Sequence, residues 1–341
     1  YNHLNSTLQT IIPGDPLNYI RLDGAIYDKD GNLFLSNTNV SAAIKVLMKD
    51  GTWKQLTYPH AAKPTMGKIM ISKQNPNQKW VPSVRYDPGL LIFDDNGTIA
   101  DQSDDKSTYL SAFLYPETDN GQTYIVSVSP AFIYEIVEDK NNVVWVGTDL
   151  GPFLFYNTSK IFDPDYTCSR VKIPRNDGTG YADYLLQNEK IKAIAIDGAN
   201  RKWLGTETSG VYLMSENGQE TIQHFTTQNS PLLSNDIFTI AIHPTTGEVF
   251  FGTGRGIVSY QSDALEGGAE FSNVHAYPNP VREGYTGIIT ITGLVKDTQI
   301  KITDVNGNLI CETVSNGGLA TWDGKDVHGR KLGTNFLFVD G

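Results

Sequence analysis

Thr148 and Asp149, Glu207 and Thr208, and Arg255 stand at corresponding points of a phrase that recurs along this chain, each at or just after a glycine-bearing step. Hydroxyl, carboxylate and guanidinium groups gathered from successive repeats can hold a polar ligand, because equivalent positions of a repeat array come to one face. The plainer account of the same residues is turn chemistry, which selects Thr, Asp and Gly on conformational grounds. An acidic protein that binds an anion needs local Arg or Lys, and Arg85, Arg170, Lys172, Arg175 and Arg255 are the candidates.

Other chemistries are weaker. Gly252-Thr253-Gly254-Arg255-Gly256 has the glycines of a phosphate loop. Such a loop must open a helix, and the apolar run from Ile257 reads as a strand. Residues 28–32 and 94–97 hint at calcium but lack the spaced ligands and closing Glu of a calcium loop. Both read as hairpin turns. The six histidines, His3, His60, His224, His243, His275 and His328, do not pair at metal spacing, and no Gly-x-Ser-x-Gly elbow occurs. Carboxylates are plentiful, among them Glu135, Glu138, Asp139, Asp183 and Glu207. A glycosidase pair is defined by a separation of roughly 5–10 Å, which spacing along a chain does not reveal. With no catalytic constellation on view, the expectation is a protein that is not an enzyme and carries no cofactor or metal.

The elements that position these residues follow from the repeat. The phrase is an apolar strand, an acidic or glycine turn, a strand with an aromatic, a Gly-Thr step and another apolar strand. Its copies centre on Phe34, Trp80, Trp145, Trp203 and Phe250, at intervals of 46, 65, 58 and 47 residues. A four-stranded propeller blade takes roughly 40–50 residues. The two long intervals place insertions in the polar stretches 94–105 and 157–180, where loops carry ligands. The aromatic is expected to wedge between adjacent blades, and the following glycine to let two sheets approach. The fold class is therefore all-β, a propeller of about five recognisable blades over residues 1–262.

Residues 8–12 resemble the outermost strand at 221–225, while the last repeat lacks a fourth strand of its own. Either the N-terminal strand completes the last blade and closes a five-bladed ring, or the chain is the C-terminal piece of a protein with more blades. After a polar linker, 263–272, the pattern changes. Residues 273–341 show strict alternation and short turns, including Asn306-Gly307, and read as a small antiparallel Ig-like β-sandwich.

Composition agrees with many short strands and tight turns: 341 residues carry 32 Gly and 16 Pro against 4 Met. The net charge is −11 and no Lys/Arg block exists, which argues against a nucleic-acid partner. No apolar run approaches the roughly 18 residues of a membrane-spanning helix, and the first residues do not form a signal peptide. Two cysteines, Cys168 and Cys311, make no disulfide framework and read as ordinary thiols.

The second domain resembles the C-terminal domain of type IX secretion proteins of Bacteroidetes. The motifs are Tyr277-Pro278-Asn279-Pro280, Ile302 to Gly307, Trp322-Asp323-Gly324 with Asp326 and Gly329, and Gly333 to Phe336. The repeats resemble the two-component regulator propeller type, through Trp145-Val146-Gly147-Thr148 and Trp203-Leu204-Gly205-Thr206. Together they resemble the PorZ-like surface components of type IX secretion. That resemblance implies a cell-surface, outer-membrane-associated location, a longer whole protein, and binding of anionic lipopolysaccharide or another surface glycan alongside other secretion components. The chain stops soon after 336–339, where family members have a further strand, and no motif fixes ligand residues. Two other functions share the architecture: the periplasmic ligand-sensing ectodomain of a hybrid two-component system, and a secreted carbohydrate-active propeller enzyme.

Overall fold

A computed structural model describes the chain except for Pro13, Pro16, Asn120, Glu283, residues 332–335 and Gly341. The Gly333 to Asn335 part of the last motif thus lies outside the described residues. Two compact units emerge, residues 1–194 with 204–210, and residues 195–203 with 211–341.

The first sheet runs β1 (Leu22–Tyr27), β2 (Leu33–Asn37), β3 (Ile44–Leu47), β4 (Trp53–Leu56). The second runs β5 (Met70–Ile71), β6 (Gln78–Ser83), β7 (Gly89–Asp94), β8 (Lys106–Leu110). A two-stranded hairpin follows, β9 (Phe113–Asp119) and β10 (Gln122–Val128). The third sheet takes β11 (Ile133–Glu138), β12 (Val144–Thr148) and β13 (Gly151–Phe155), and a second hairpin takes β14 (Lys172–Pro174) and β15 (Ala182–Tyr184). The fourth sheet runs β16 (Ile191–Ile196), β17 (Lys202–Thr206), β18 (Val211–Met214), β19 (Thr221–Phe225). The fifth has three strands, β20 (Ile237–Ile242), β21 (Glu248–Thr253) and β22 (Gly256–Gln261). Strands adjacent in sequence are adjacent in each sheet, the meander expected of propeller repeats.

Period-2 alternation puts successive side chains on opposite faces, so a sheet packed on both sides is apolar throughout. All six residues of β6 are buried. Trp80 faces one cluster, with Ile133, Val146 and Phe155, and Val81 faces another, with Phe34, Ile44 and Val46. The Trp80 ring meets Phe155 edge-on at 5.4 Å. Burying one such ring contributes about 4 kcal/mol. Trp203 does the same in the second unit, against Phe251 at 5.5 Å. The wedge is absent from the fifth repeat: Phe250 is half-buried and its neighbour Phe251 fills the core. The glycine expectation holds at Gly147, where a Cβ would lie 2.5 Å from the carbonyl oxygen of Ile191.

One expectation is corrected. The surplus of the 80–145 interval is not chiefly a loop at 94–105, because residues 106–110 already form β8 and the extra strands are β9 and β10. Phe113 and Tyr115 on β9 point into the Trp80 cluster, and that burial makes the insertion a hairpin. Residues 8–12 lie on the first sheet: Asn37 Oδ1 accepts from the Gln9 amide at 2.8 Å, and Lys45 donates to the Gln9 side chain at 2.9 Å.

The acidic turn has one construction at five places. Asp28, Asp139, Asp197, Asp304 and Asp326 each accept the backbone N–H groups two and four residues on through Oδ1. The residue three beyond each Asp is Gly or Asn at positive φ, from 61° at Asn142 to 88° at Gly31. These are Asx turns closing hairpins, and the residues suggestive of calcium at 28–32 are one of them.

Beyond residue 262 the chain builds two further three-stranded sheets. One has β23 (His275–Tyr277), β24 (Ile289–Thr292) and β27 (Leu319–Trp322); the other has β25 (Gln299–Asp304), β26 (Leu309–Val314) and β28 (Phe336–Asp340). Ile289, Ile291 and Trp322 from one share a core with Ile300, Ile302 and Ile310 from the other. Residues 263–266 run between neighbours: Leu265 donates to the Asn316 carbonyl at 3.2 Å and accepts from the Gly318 amide at 2.7 Å. Both thiols are free, Cys168 buried and Cys311 half-buried. No helix among the described residues is long and apolar enough to cross a membrane.

Candidate functional site

In the third and fourth sheets the residue before the first strand pairs with the residue after the Gly-Thr step. The Asp149 amide donates to the Phe132 carbonyl at 3.3 Å, and the Glu207 amide to the Lys190 carbonyl at 3.1 Å. This shared register places Asp149 and Glu207 at the same end of the third and fourth sheets. Lys190 joins them: its ammonium donates to Glu207 at 2.6 Å and lies 5.4 Å from the centre of the Phe132 ring. Phe132 stacks on Tyr134 at 5.6 Å. Glu189 accepts from Thr208 at 3.2 Å and from Ser209 at 2.6 Å. The result is a half-exposed patch of an aromatic ring, one ammonium, three carboxylates and two hydroxyls.

Sequence reasoning found Asp149, Glu207 and Thr208 of this patch and missed Phe132, Glu189 and Lys190. The missing signal lay just before Ile133 and Ile191, where the first strands begin. Thr148 is fully buried, donates to the Gly151 carbonyl at 2.7 Å and accepts from the Leu150 amide at 3.0 Å, so its hydroxyl holds the turn. Asp149 accepts from the Phe132 amide at 3.0 Å.

The insertion cations are committed elsewhere. Arg175 makes a two-point pair with Asp183 across β14 and β15, at 3.0 and 2.6 Å, and this hydrogen-bonded pairing raises the guanidinium further above its ordinary pKa. Lys172 pairs with Glu117 at 3.0 Å. Arg170 donates to the Leu150 carbonyl and lies over Tyr184, 4.0 Å from the ring centre. Arg85 is exposed, 4.9 Å from the Tyr86 ring. In the second unit Arg255 is exposed in its turn, and its guanidinium has no partner among the described residues.

The carboxylates divide likewise. Glu138 is buried and accepts from Ser72 at 3.1 Å and from the Lys73 amide. Asp139 accepts from the Trp145 indole at 3.1 Å. Glu135 on β11 is raised above the ordinary carboxyl range by burial, with Lys68 at 3.8 Å pulling the other way. No group of three metal-ligating side chains gathers among the described residues.

The family described as two component regulator propeller matches residues 127–149, which span the β11–β12 hairpin and its Gly-Thr step. No curated protein matches. Among solved structures, PorZ of Porphyromonas gingivalis, an essential bacterial surface component of its type IX secretion system, is 29% identical. The match covers 100% of this chain and 45% of PorZ, with a TM-score of 0.71. The extracellular domain of a B. thetaiotaomicron hybrid two-component system is 17% identical over 93% of this chain and 36% of its own, with a TM-score of 0.47. A one-component-system ectodomain from the same organism is 15% identical over 90% of this chain and 42% of its own, with a TM-score of 0.40. The chain is thus an all-β protein bearing a two-component regulator propeller repeat, similar along its whole length to a little under half of a type IX secretion surface component.

Proposed function

We propose that this chain is an exported, non-enzymatic binding or scaffold module at the bacterial cell surface, acting with other components of type IX secretion. The observation that carries this reading is the likeness to PorZ at 29% identity over the entire chain. In this reading residues 1–262 are propeller repeats, 263–272 a linker, and 273–341 an Ig-like β-sandwich of the type IX C-terminal kind. The two sheets that share one core after residue 274 support that last assignment. The ligand is the polysaccharide of an anionic lipopolysaccharide, or another surface glycan.

Two features favour a glycan over a catalytic role. Glu138, Asp139, Asp183 and Glu207 are each held by hydrogen-bonded partners, and Glu135 lies 3.8 Å from Lys68. The Phe132–Lys190 patch supplies a ring face and hydroxyl groups beside an ammonium already paired with Glu207, and Arg255 supplies an uncommitted cation. The test is calorimetric titration with lipopolysaccharide from the source organism, with and without its polysaccharide. Saturable binding that needs the polysaccharide and weakens about tenfold in Lys190→Ala or Arg255→Ala supports the reading. Absence of heat at high concentration removes the glycan and leaves protein docking.

A further inference from the structure

The second unit contains a cleft of about 500 Å³ between the outer face of the β23–β24–β27 sheet and the β20–β21 turn with the end of β22. That volume lies within the usual range of ligand pockets, about 300–1,000 Å³. Its floor is a row of cross-strand partners. Thr290 pairs with Tyr277 on one side and with Thr321 on the other, and Thr292 lies one pair along. Alternation explains the row: Ile289 and Ile291 fill the core, so Thr290 and Thr292 must face outward.

The hydroxyls of Thr290, Thr292 and Thr321 have no hydrogen-bond partner among the described residues. The opposite wall presents Thr246 and Gln261. The Gln261 side-chain nitrogen is spent on the Thr246 carbonyl at 2.7 Å, which leaves its oxygen as an acceptor. The Tyr277 ring, half exposed, stands at one end of the row. No lining side chain is an acid, an amine or a guanidinium.

We infer that this cleft is a binding site for a neutral mono- or disaccharide. Each hydroxyl donates and accepts, matching the mixed polarity of sugar hydroxyls, and the flat Tyr277 ring offers an apolar face to the C–H side of a pyranose. The absence of a cation disfavours an anionic sugar, whose charge would be desolvated without a partner. The site is separate from the Lys190 and Arg255 residues offered above for an anionic glycan, and does not depend on that reading.

The experiment is saturation-transfer NMR on the full chain with galactose, mannose, N-acetylglucosamine and cellobiose, and with glucuronic acid as the charged counterpart. At least one neutral sugar is expected to bind with a millimolar or tighter Kd, and glucuronic acid at least tenfold more weakly. Tyr277→Ala and, separately, the shape-conserving Thr321→Val should each weaken binding about tenfold or more, with near-ultraviolet circular dichroism confirming the fold. Lack of transfer from every neutral sugar overturns the inference. So does binding indifferent to Thr321→Val, or equal binding of glucuronic acid. Lipopolysaccharide titration of the same Thr321→Val protein separates the two sites: a change there would mean that one site serves both.

Discussion

The Arg201 guanidinium donates to the Asp263 carboxylate at 2.7 Å, and the other oxygen of that carboxylate accepts from Asn316 at 3.1 Å. Asp263, two residues after the last propeller-type strand, therefore ties the fourth-sheet turn to the β26–β27 connection. Arg201 also donates to Asp197 at 2.7 Å, and the Asp197 side chain is wholly buried. Burial alone would lower the Arg201 pKa, but the two carboxylates outweigh it and raise it.

Removing Arg201 strands the Asp197 carboxylate. Arg201→Met should cost about 3–5 kcal/mol of unfolding free energy, the range for breaking one side of a buried pair. Urea denaturation followed by tryptophan fluorescence measures it, and a cost below about 1 kcal/mol would refute the latch. Asp263→Asn, which keeps an acceptor, should cost less.

Gly198 and Gly317 press on the Leu265 backbone. A Cβ on Gly317 would lie 1.9 Å from the Leu265 oxygen, and one on Gly198 2.0 Å from it. Gly317 also holds φ at 66°. Backbone cannot rotate aside as a side chain can, so each Ala variant should lose about 2–4 kcal/mol. Gly178→Ala has φ 82° but nothing within 4 Å, and should lose only about 1 kcal/mol. Equal losses at Gly317 and Gly178, with none at Gly198, where φ is not positive, would show that conformation alone, without the contact, sets the cost.

Two buried indoles differ in one bond. The Trp145 nitrogen donates to Asp139 at 3.1 Å, whereas the Trp203 nitrogen is buried with no partner among the described residues. Trp145→Phe loses a charge-assisted bond in addition to volume, and should cost about 1.5–3 kcal/mol more than Trp203→Phe. Thermal unfolding of the pair decides it, and the reverse order would point to an unseen partner for Trp203.

Lys45 is buried between Gln9 and Gln55, and burial lowers its ammonium from 10.5 to about 8. Below pH 8 both folded and unfolded chains are protonated, so the penalty is fully present. From pH 8 to 10.5 the unfolded chain binds the proton that the folded chain has released, and stability rises. Relative to Lys45→Met, the wild type should gain up to about 3 kcal/mol across that window. Burial raises Cys168 to about 12, an opposing contribution present in both proteins, so the comparison isolates Lys45. Parallel pH profiles for the two proteins would show that Lys45 keeps its ordinary pKa.

The chain order of apolar runs, Asp-x-x-Gly or Asp-x-x-Asn turns and Gly-Thr steps determined the all-β meander by itself. Alternation and positive-φ turns are local, so sequence displays them directly. It also determined which face of β24 is core, which placed Thr290 and Thr292 outside. The β9–β10 hairpin was legible too, in the Asn120-Gly121 step between two alternating runs, but the length of the interval drew attention to the wrong stretch. Tertiary structure alone decided the rest. Gly-Thr residues looked like ligand groups until Thr148 proved buried and bonded to its own turn. Phe132 and Lys190 became a patch only when adjacent sheets brought their strand starts within reach. Arg201, Asp263 and Asn316 meet across 115 residues of chain, and the cleft above Thr290 exists only between two walls distant in sequence. Strand pattern records which side chains are buried; which buried or exposed groups face one another depends on how sheets stack, and no local spacing encodes that.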